Sequence, residues 1–159
     1  MLASFPPIVN DQTEILILGT MPGAMSLLKQ EYYGHKQNAF WKIMYNVFST
    51  IPVAEKFEEK INMIQRHNIG LWDVLAYCER KGSLDIHIKN AEENDLNGLL
   101  ENFPKINKIL FNGKESSKYF YRKFKEAEGF TYHVMPSTSP ANTMKFTDKL
   151  ASWRQVLLS

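Results

Sequence analysis

The sequence predicts an α/β fold, a three-layer α/β/α sandwich around a mainly parallel four-stranded central sheet. Three observations carry this reading. Short continuous apolar runs recur along the chain and end on Gly, Asn or Pro. Segments of helical period lie between them. The alternation of the two is what parallel strands joined by crossover helices require. With 159 residues, 44% hydrophobic and 13% aromatic, the chain suits one compact domain over residues 1–159 rather than two.

Taken in order, Ile15-Leu16-Ile17-Leu18 before Gly19 is the pattern of a strand buried on both faces. Phe40, Ile43, Met44, Val47 and Phe48 then form one apolar helical stripe. Phe57, Ile61 and Ile64 mark a second helix, whose start is placed near Pro52. Ile69 to Val74 is the fourth and least regular strand candidate. Residues 80–97 are polar and aperiodic until Asn94-Asp95, which cap a short helix bearing Leu96, Leu99 and Leu100. Ile106 to Phe111 is a strand ending at Asn112-Gly113, and Tyr119, Phe120, Phe124 and Ala127 mark a helix. Thr131 to Val134 is a strand ending at Pro136. Phe146, Leu150, Trp153 and Leu157 mark the closing helix, with Asp148 in the first turn where the helix dipole favours an acid.

Composition removes several function classes. A net charge of +2 argues against a charge-driven grip on nucleic acid, so any cationic site is local. The lone Cys78 excludes an internal disulfide and any Cys-rich metal centre, and it fits a reducing cytoplasm as a small core residue. The four His, at 35, 67, 87 and 133, have no close pair at zinc-ligand spacing. Gly113-Lys114 lacks the upstream Gly of a phosphate-binding Walker loop. The N-terminus lacks a signal-peptide pattern, and no run approaches the ~18 apolar residues of a membrane span. A cytoplasmic monomer without cofactor is expected.

In open parallel sheets ligands bind beyond the carboxyl ends of the strands, where Gly19, Asn112 and Pro136 all fall. Two Gly/Pro/Ser-rich loops flank that place: Gly19-Thr20-Met21-Pro22-Gly23 and Met135-Pro136-Ser137-Thr138-Ser139-Pro140-Ala141-Asn142. The first exposes backbone N–H groups that bind oxygens and anions.

The Gly-x-x-Pro-Gly loop, the run Tyr32-Tyr33-Gly34-His35-Lys36-Gln37-Asn38-Ala39-Phe40-Trp41 into a helix, and the late x-Pro-Ser loop together resemble the uracil-DNA glycosylase superfamily. Matching elements run from about Ile15 to Trp153. The aromatic–small–His–x–x–Asn–x–Phe–Trp run is similar to the mismatch-specific branch, and the Tyr-Tyr pair with Ser-Thr-Ser-Pro-Ala-Asn to the hypoxanthine-DNA (deoxyinosine) glycosylase branch. Two positions depart from the mismatch branch. Met21 stands where that branch has a water-holding Asn, and Met135 where it has Asn before Pro-Ser. In the hypoxanthine branch the Asn of the Tyr-Tyr run is implicated instead, which maps onto Asn38.

The resemblance implies a monofunctional glycosylase that hydrolyses the N-glycosidic bond of a deaminated base, deoxyinosine first, in single- or double-stranded DNA. Base extrusion costs a few kcal/mol. Tyr33, or failing it Tyr32, offers an aromatic face worth ~1–3 kcal/mol, the alternative being an aromatic wedged between loop and helix. Asn38 would hold water near C1′ or bond the departing base, and its structural alternative is a helix cap. Asn112 would face the base's Watson–Crick edge, or else form an ordinary turn. A freely flipping amide suits adenine as well, so a fixed N–H of Thr20 or Met21 would select O6. Pro22, Gly23 and His35 border the expected DNA, and Ser137, Thr138 and Ser139 are phosphate candidates. Pro140 or Ala141 would fill the vacated stack. Lys145 and Lys149 follow the late loop, whereas Lys118, Arg122 and Lys125 read as a solvated helix face. Asp73 and Asp85 read as turn or cap acids. Three rival readings stay open: a uracil or mismatched-thymine glycosylase of the same fold, a non-catalytic nucleic-acid-binding module, and a small-molecule α/β enzyme.

Overall fold

The computed structural model describes all 159 residues, Met1–Ser159. Its elements run β1 (Leu2–Ala3), β2 (Ile15–Gly19), α1 (Ala24–Lys29), α2 (Phe40–Phe48), α3 (Phe57–Arg66), β3 (Ile69–Asp73), β4 (Leu75–Glu79), β5 (Lys89–Glu93), α4 (Leu96–Asn102), β6 (Lys108–Asn112), α5 (Lys114–Lys123), β7 (Thr131–Met135) and α6 (Phe146–Leu157). The four expected strands form one parallel sheet in the order β3-β2-β6-β7. Gly19 lies opposite Asp73, Leu18 opposite Phe111, and Asn112 opposite Met135. The carboxyl ends of the strands therefore finish level, which puts four backbone exits along one edge.

Side chains alternate across a strand, so each strand serves two cores. Ile17, Leu71 and Leu110 face a cluster that includes Phe40, Met44, Ile64 and Trp153, contributed by α2, α3 and α6. Leu16, Leu18, Ile109 and Phe111 face the opposite cluster with Leu96, Leu99 and Phe120 of α4 and α5. These are the three expected layers. Cys78 is fully buried in the second cluster, as its type suggests.

Several local features were not foreseen. A second, antiparallel sheet in the order β1-β4-β5 covers the region read as aperiodic. Register shifts on both sides of Tyr77 break the two-residue period that a sequence reading relies on. The six residues of α1 are too few to show a helical stripe. The α3 helix begins at Phe57 rather than near Pro52, because the stripe and the first-turn acids Glu58 and Glu59 start only there. Ala127 falls beyond α5, which stops at Lys123. Asp95 caps α4 as expected, accepting a hydrogen bond from the Gly98 N–H at 3.0 Å.

Trp153 joins the first core to the site. It is fully buried, meets Phe40 edge-to-face at 6.3 Å, and donates its indole N–H to the Pro136 carbonyl at 2.9 Å. Trp153→Ala is expected to lower the unfolding free energy by about 3–5 kcal/mol. Trp153→Phe, which keeps the ring and loses the hydrogen bond, should cost closer to about 1 kcal/mol. Urea denaturation checks both, and equal losses would contradict this account of the indole.

Candidate active site

A cleft of about 1270 Å³ opens along the carboxyl edge of the sheet. Its walls are the Gly19–Gly23 loop, Tyr33, His35 and Asn38 before α2, and the late loop from Pro136 to Asn142, with Leu84, Asp85 and Ile86 on the far side. The two loops singled out in the sequence therefore share one cavity, as expected.

Thr138 ties these walls together, although it is only 1% exposed. Its N–H donates to Asn112 Oδ1 at 3.0 Å, and its hydroxyl accepts from Asn112 Nδ2 at 2.9 Å. Its carbonyl accepts the Ala39 N–H at 3.0 Å. Two expectations are corrected by this. Thr138 is not a surface hydroxyl for phosphate, and the Asn112 amide does not flip freely, because only its oxygen can accept the Thr138 N–H.

Both tyrosines touch the cleft lining, but Tyr32 is buried and commits its ring and hydroxyl elsewhere. It packs edge-to-face on Phe5, and its hydroxyl donates to the Pro6 carbonyl at 2.8 Å. Tyr33 stacks on Phe40 at 4.1 Å with the rings 24° apart, and it borders the cleft. Its φ of 55° is a left-handed conformation that a bulky residue adopts only under constraint. The wedged and functional readings of Tyr33 thus hold together: Phe40 fixes the ring that lines the cleft.

Asn38 also carries both readings. Its Oδ1 accepts the Phe40 N–H at 2.9 Å, satisfying a free donor at the start of α2. That bond fixes the amide, and no protein group holds its Nδ2 at the cleft wall. His35 is exposed beside it, with Nδ1 accepting the Gln37 N–H at 3.1 Å.

The floor holds a residue that the sequence reading set aside. Asp73, at the end of β3, is 3% exposed, and its Oδ2 has no hydrogen-bond partner. The Tyr33 hydroxyl is likewise buried without a partner. Both meet at Gly19, where an added Cβ would stand 2.5 Å from Asp73 Oδ1 and 3.3 Å from the Tyr33 hydroxyl. Gly19 is needed for this close approach rather than for its backbone angles. Burial, reinforced by Asp85 and partly opposed by Arg80, pushes the Asp73 carboxyl up to about 7. Burial raises Tyr33 as well, with the Asp73 charge adding to it and the neighbouring Asn112 side chain opposing it. Asp85 is raised by burial, against the Thr20 hydroxyl and Arg80. Arg80 itself braces the first loop, donating to Pro22 O at 2.6 Å and Gly82 O at 2.8 Å. The one available signal was Asp at the last position of an apolar strand, where a turn acid and a cleft acid look alike.

The first loop keeps Thr20, Met21 and Pro22 buried along the cleft. Neither the Thr20 nor the Met21 N–H bonds to another protein group, so both remain free donors. Met21 and Met135, 7% and 4% exposed, make this part of the cavity apolar. Gly23 is half-buried and its carbonyl starts α1 by accepting the Leu27 N–H.

The late loop is braced from within. Ser137 Oγ accepts the Ser139 N–H and Ser139 Oγ the Ala141 N–H, each at 3.2 Å, leaving their O–H groups to donate outward. Pro140 and Ala141 stand exposed at the tip. Lys149, expected to face DNA, is instead 4% exposed and donates to the carbonyls of Ser139 and Asn142 at 3.2 and 2.9 Å. Lys145 remains exposed at the start of α6, outside the cleft lining. Lys118 pairs with Glu115 at 3.1 Å and Arg122 lies over Tyr119 at 4.6 Å, as a solvated helix face does. No group of three His, Cys, Asp or Glu side chains is gathered to hold a metal, and no helix is long and apolar enough to cross a membrane.

A family model described as the uracil DNA glycosylase superfamily matches residues 6–158. The chain belongs to this superfamily. Two similar curated proteins are named hypoxanthine DNA glycosylase. The one from Methanosarcina barkeri is 34% identical over 151 residues, spanning 95% of this chain and 94% of that protein. The one from Methanosarcina acetivorans is 36% identical over 152 residues, spanning 96% and 95%. A solution NMR structure from Methanosarcina acetivorans, described as a candidate uracil DNA glycosylase, superposes with a TM-score of 0.83 at 35% identity, covering 98% of this chain and 95% of that one.

Within the superfamily fold, the Asp73 floor has a measurable consequence for stability. The folded protein holds its proton up to about pH 7, whereas the unfolded carboxyl releases it near 3.8. The native state thus binds more protons across that interval, and stability falls as pH rises through it. Asp73→Asn is expected to raise the melting temperature at alkaline pH, by about 2–4 °C per kcal/mol relieved, with the gain shrinking toward pH 4. Thermal melts across that range check it, and a pH-independent difference would refute the buried-acid assignment.

Proposed function

We propose that this chain hydrolyses the N-glycosidic bond of deoxyinosine in DNA, releasing hypoxanthine and leaving an abasic site. The observation that carries the reading is the placement of Asn38. A superfamily cleft with an apolar Met at position 21 keeps an oriented carboxamide in its lining, its Nδ2 held by no protein group. The names of the similar proteins support hypoxanthine as the base.

In this reading the nucleotide leaves the stack and enters the cleft. Tyr33, backed by Phe40, supplies an aromatic face for the base. Asn38 Nδ2 donates to the departing base or to the oxygen of the incoming water, and the remaining lone pair of Oδ1 can accept one hydrogen of that water. C1′ gains oxocarbenium character as the bond stretches, and fixed dipoles need no ionisation to favour that charge separation. The Ser137 and Ser139 hydroxyls and Lys145 meet backbone phosphates, while Pro140 or Ala141 fills the vacated stack. In this reading the reaction ends at the abasic site; Lys149 beside the late loop is committed to loop carbonyls and is not free to attack C1′.

Oligonucleotides carrying inosine, uracil or xanthine, each single- and double-stranded, test this by alkali cleavage of abasic sites. Inosine is expected to be processed fastest, and absence of cleavage on every substrate would overturn the assignment. Asn38→Ala should slow excision by about 10²–10³-fold while oligonucleotide binding stays near wild type. If a residue acts only as a cap, its removal costs ~1 kcal/mol of stability and leaves the excision rate of the folded protein unchanged.

A further inference from the structure

Beyond the carboxamide, the cleft contains two buried oxygens that the protein leaves without partners, Asp73 Oδ2 and the Tyr33 hydroxyl. An unpaired buried polar group costs about 1–3 kcal/mol, and structures retain such a cost where a ligand completes the bonding. Asp73 forms no ion pair; the two salt bridges of the protein, Lys118–Glu115 and Lys123–Glu93, lie elsewhere. Its carboxyl is therefore not held as a structural carboxylate. With only 3% of Asp73 exposed, little solvent is present to favour its charged form.

We propose that Asp73 is a catalytic general acid, which in its neutral form donates its proton to the departing purine. This deepens, and rests on, the deoxyinosine reading. Hypoxanthine presents N7 as a ring acceptor, and the Asp73 carboxyl, buried in the cleft lining beside Gly19 with Oδ2 unpartnered, can donate to it when neutral. As the C1′–N9 bond breaks, its electron pair passes to the purine ring. The Asp73 O–H proton passes to N7, so the base leaves as a neutral tautomer rather than an anion. Water adds its oxygen to C1′ and loses one proton to solvent, and solvent returns a proton to the Asp73 carboxylate. No other reactant is required. Burial first, then Asp85 on the turn after β4, raises the titration of Asp73 and Arg80 opposes them, while Tyr32 and Tyr33 before α2 are the titratable groups that its charge in turn raises. The upward displacement of its carboxyl to about 7 places the neutral form within reach of working pH.

Single-turnover excision of inosine from an oligonucleotide, followed from about pH 6 to about pH 9, reads this step directly. Wild type is expected to slow tenfold per pH unit above the Asp73 titration. Asp73→Asn should be slower by about 10²–10⁴-fold and independent of pH, yet should bind an abasic-site analogue as wild type does. An oligonucleotide with 7-deaza-2′-deoxyinosine, which has C–H in place of N7, should resist wild type, and Asp73→Asn should add no further loss on it. A wild-type rate that does not fall across this range overturns the proposal without recourse to any variant. So does an Asp73→Asn rate within about threefold of wild type. Failure of wild type to release hypoxanthine at all would instead remove the deoxyinosine reading.

Discussion

The three hydrogen bonds of Thr138 are the constraint on which the site depends. One residue, 1% exposed, joins the end of β6 to the late loop through Asn112 and the late loop to the start of α2 through Ala39. Each partner belongs to a different part of the chain, so none of these bonds exists until the sheet has formed. In a buried setting the bonds are strong, and a missing partner is costly. The result is a frame that brings the Asn38 amide and the Gly19–Gly23 loop into one cleft. Lys149 supplements it from α6 by gripping two carbonyls of the same loop.

This frame lets the floor be unfavourable in the absence of substrate. Asp73, Tyr33 and Arg80 each retain a buried polar atom with no partner. Two large apolar clusters, one on each face of the sheet, offset that cost. The substitution of Met at positions 21 and 135 then has an electrostatic meaning. Met brings no polar group to the cleft at either place, and burial leaves Asp73 in a medium that resists ionisation. The absence of a water-holding group in the first loop and the presence of a protonated acid beneath it are two sides of one arrangement.

The two readings considered for several residues also turn out not to compete. Asn38 caps a helix and faces the cleft, because capping uses Oδ1 and leaves Nδ2 free. Tyr33 is wedged against Phe40 and lines the cavity, because a ring has two faces and an edge. A structural bond is the means by which a flexible side chain acquires the fixed orientation that a preorganised site requires.

By itself the sequence determined the three layers, the four parallel strands and the edge on which a ligand would sit, because these follow from local apolar period and from Gly, Asn and Pro at strand ends. It also singled out Asn38, Tyr33 and both loops, which the fold brings into the lining of one cleft. It did not reveal the small antiparallel sheet, whose register shifts erase the period, nor the roles of Thr138, Lys149 and Asp73. Those roles depend on what stands opposite each residue in space. A threonine in a polar loop is a surface hydroxyl or a buried tie according to Asn112, 26 positions away. An aspartate at a strand end is a solvated turn acid or a protonated donor according to how closely Gly19 and Tyr33 close over it. Only the tertiary structure decides such cases, because burial and pairing are properties of distant contacts rather than of neighbours along the chain.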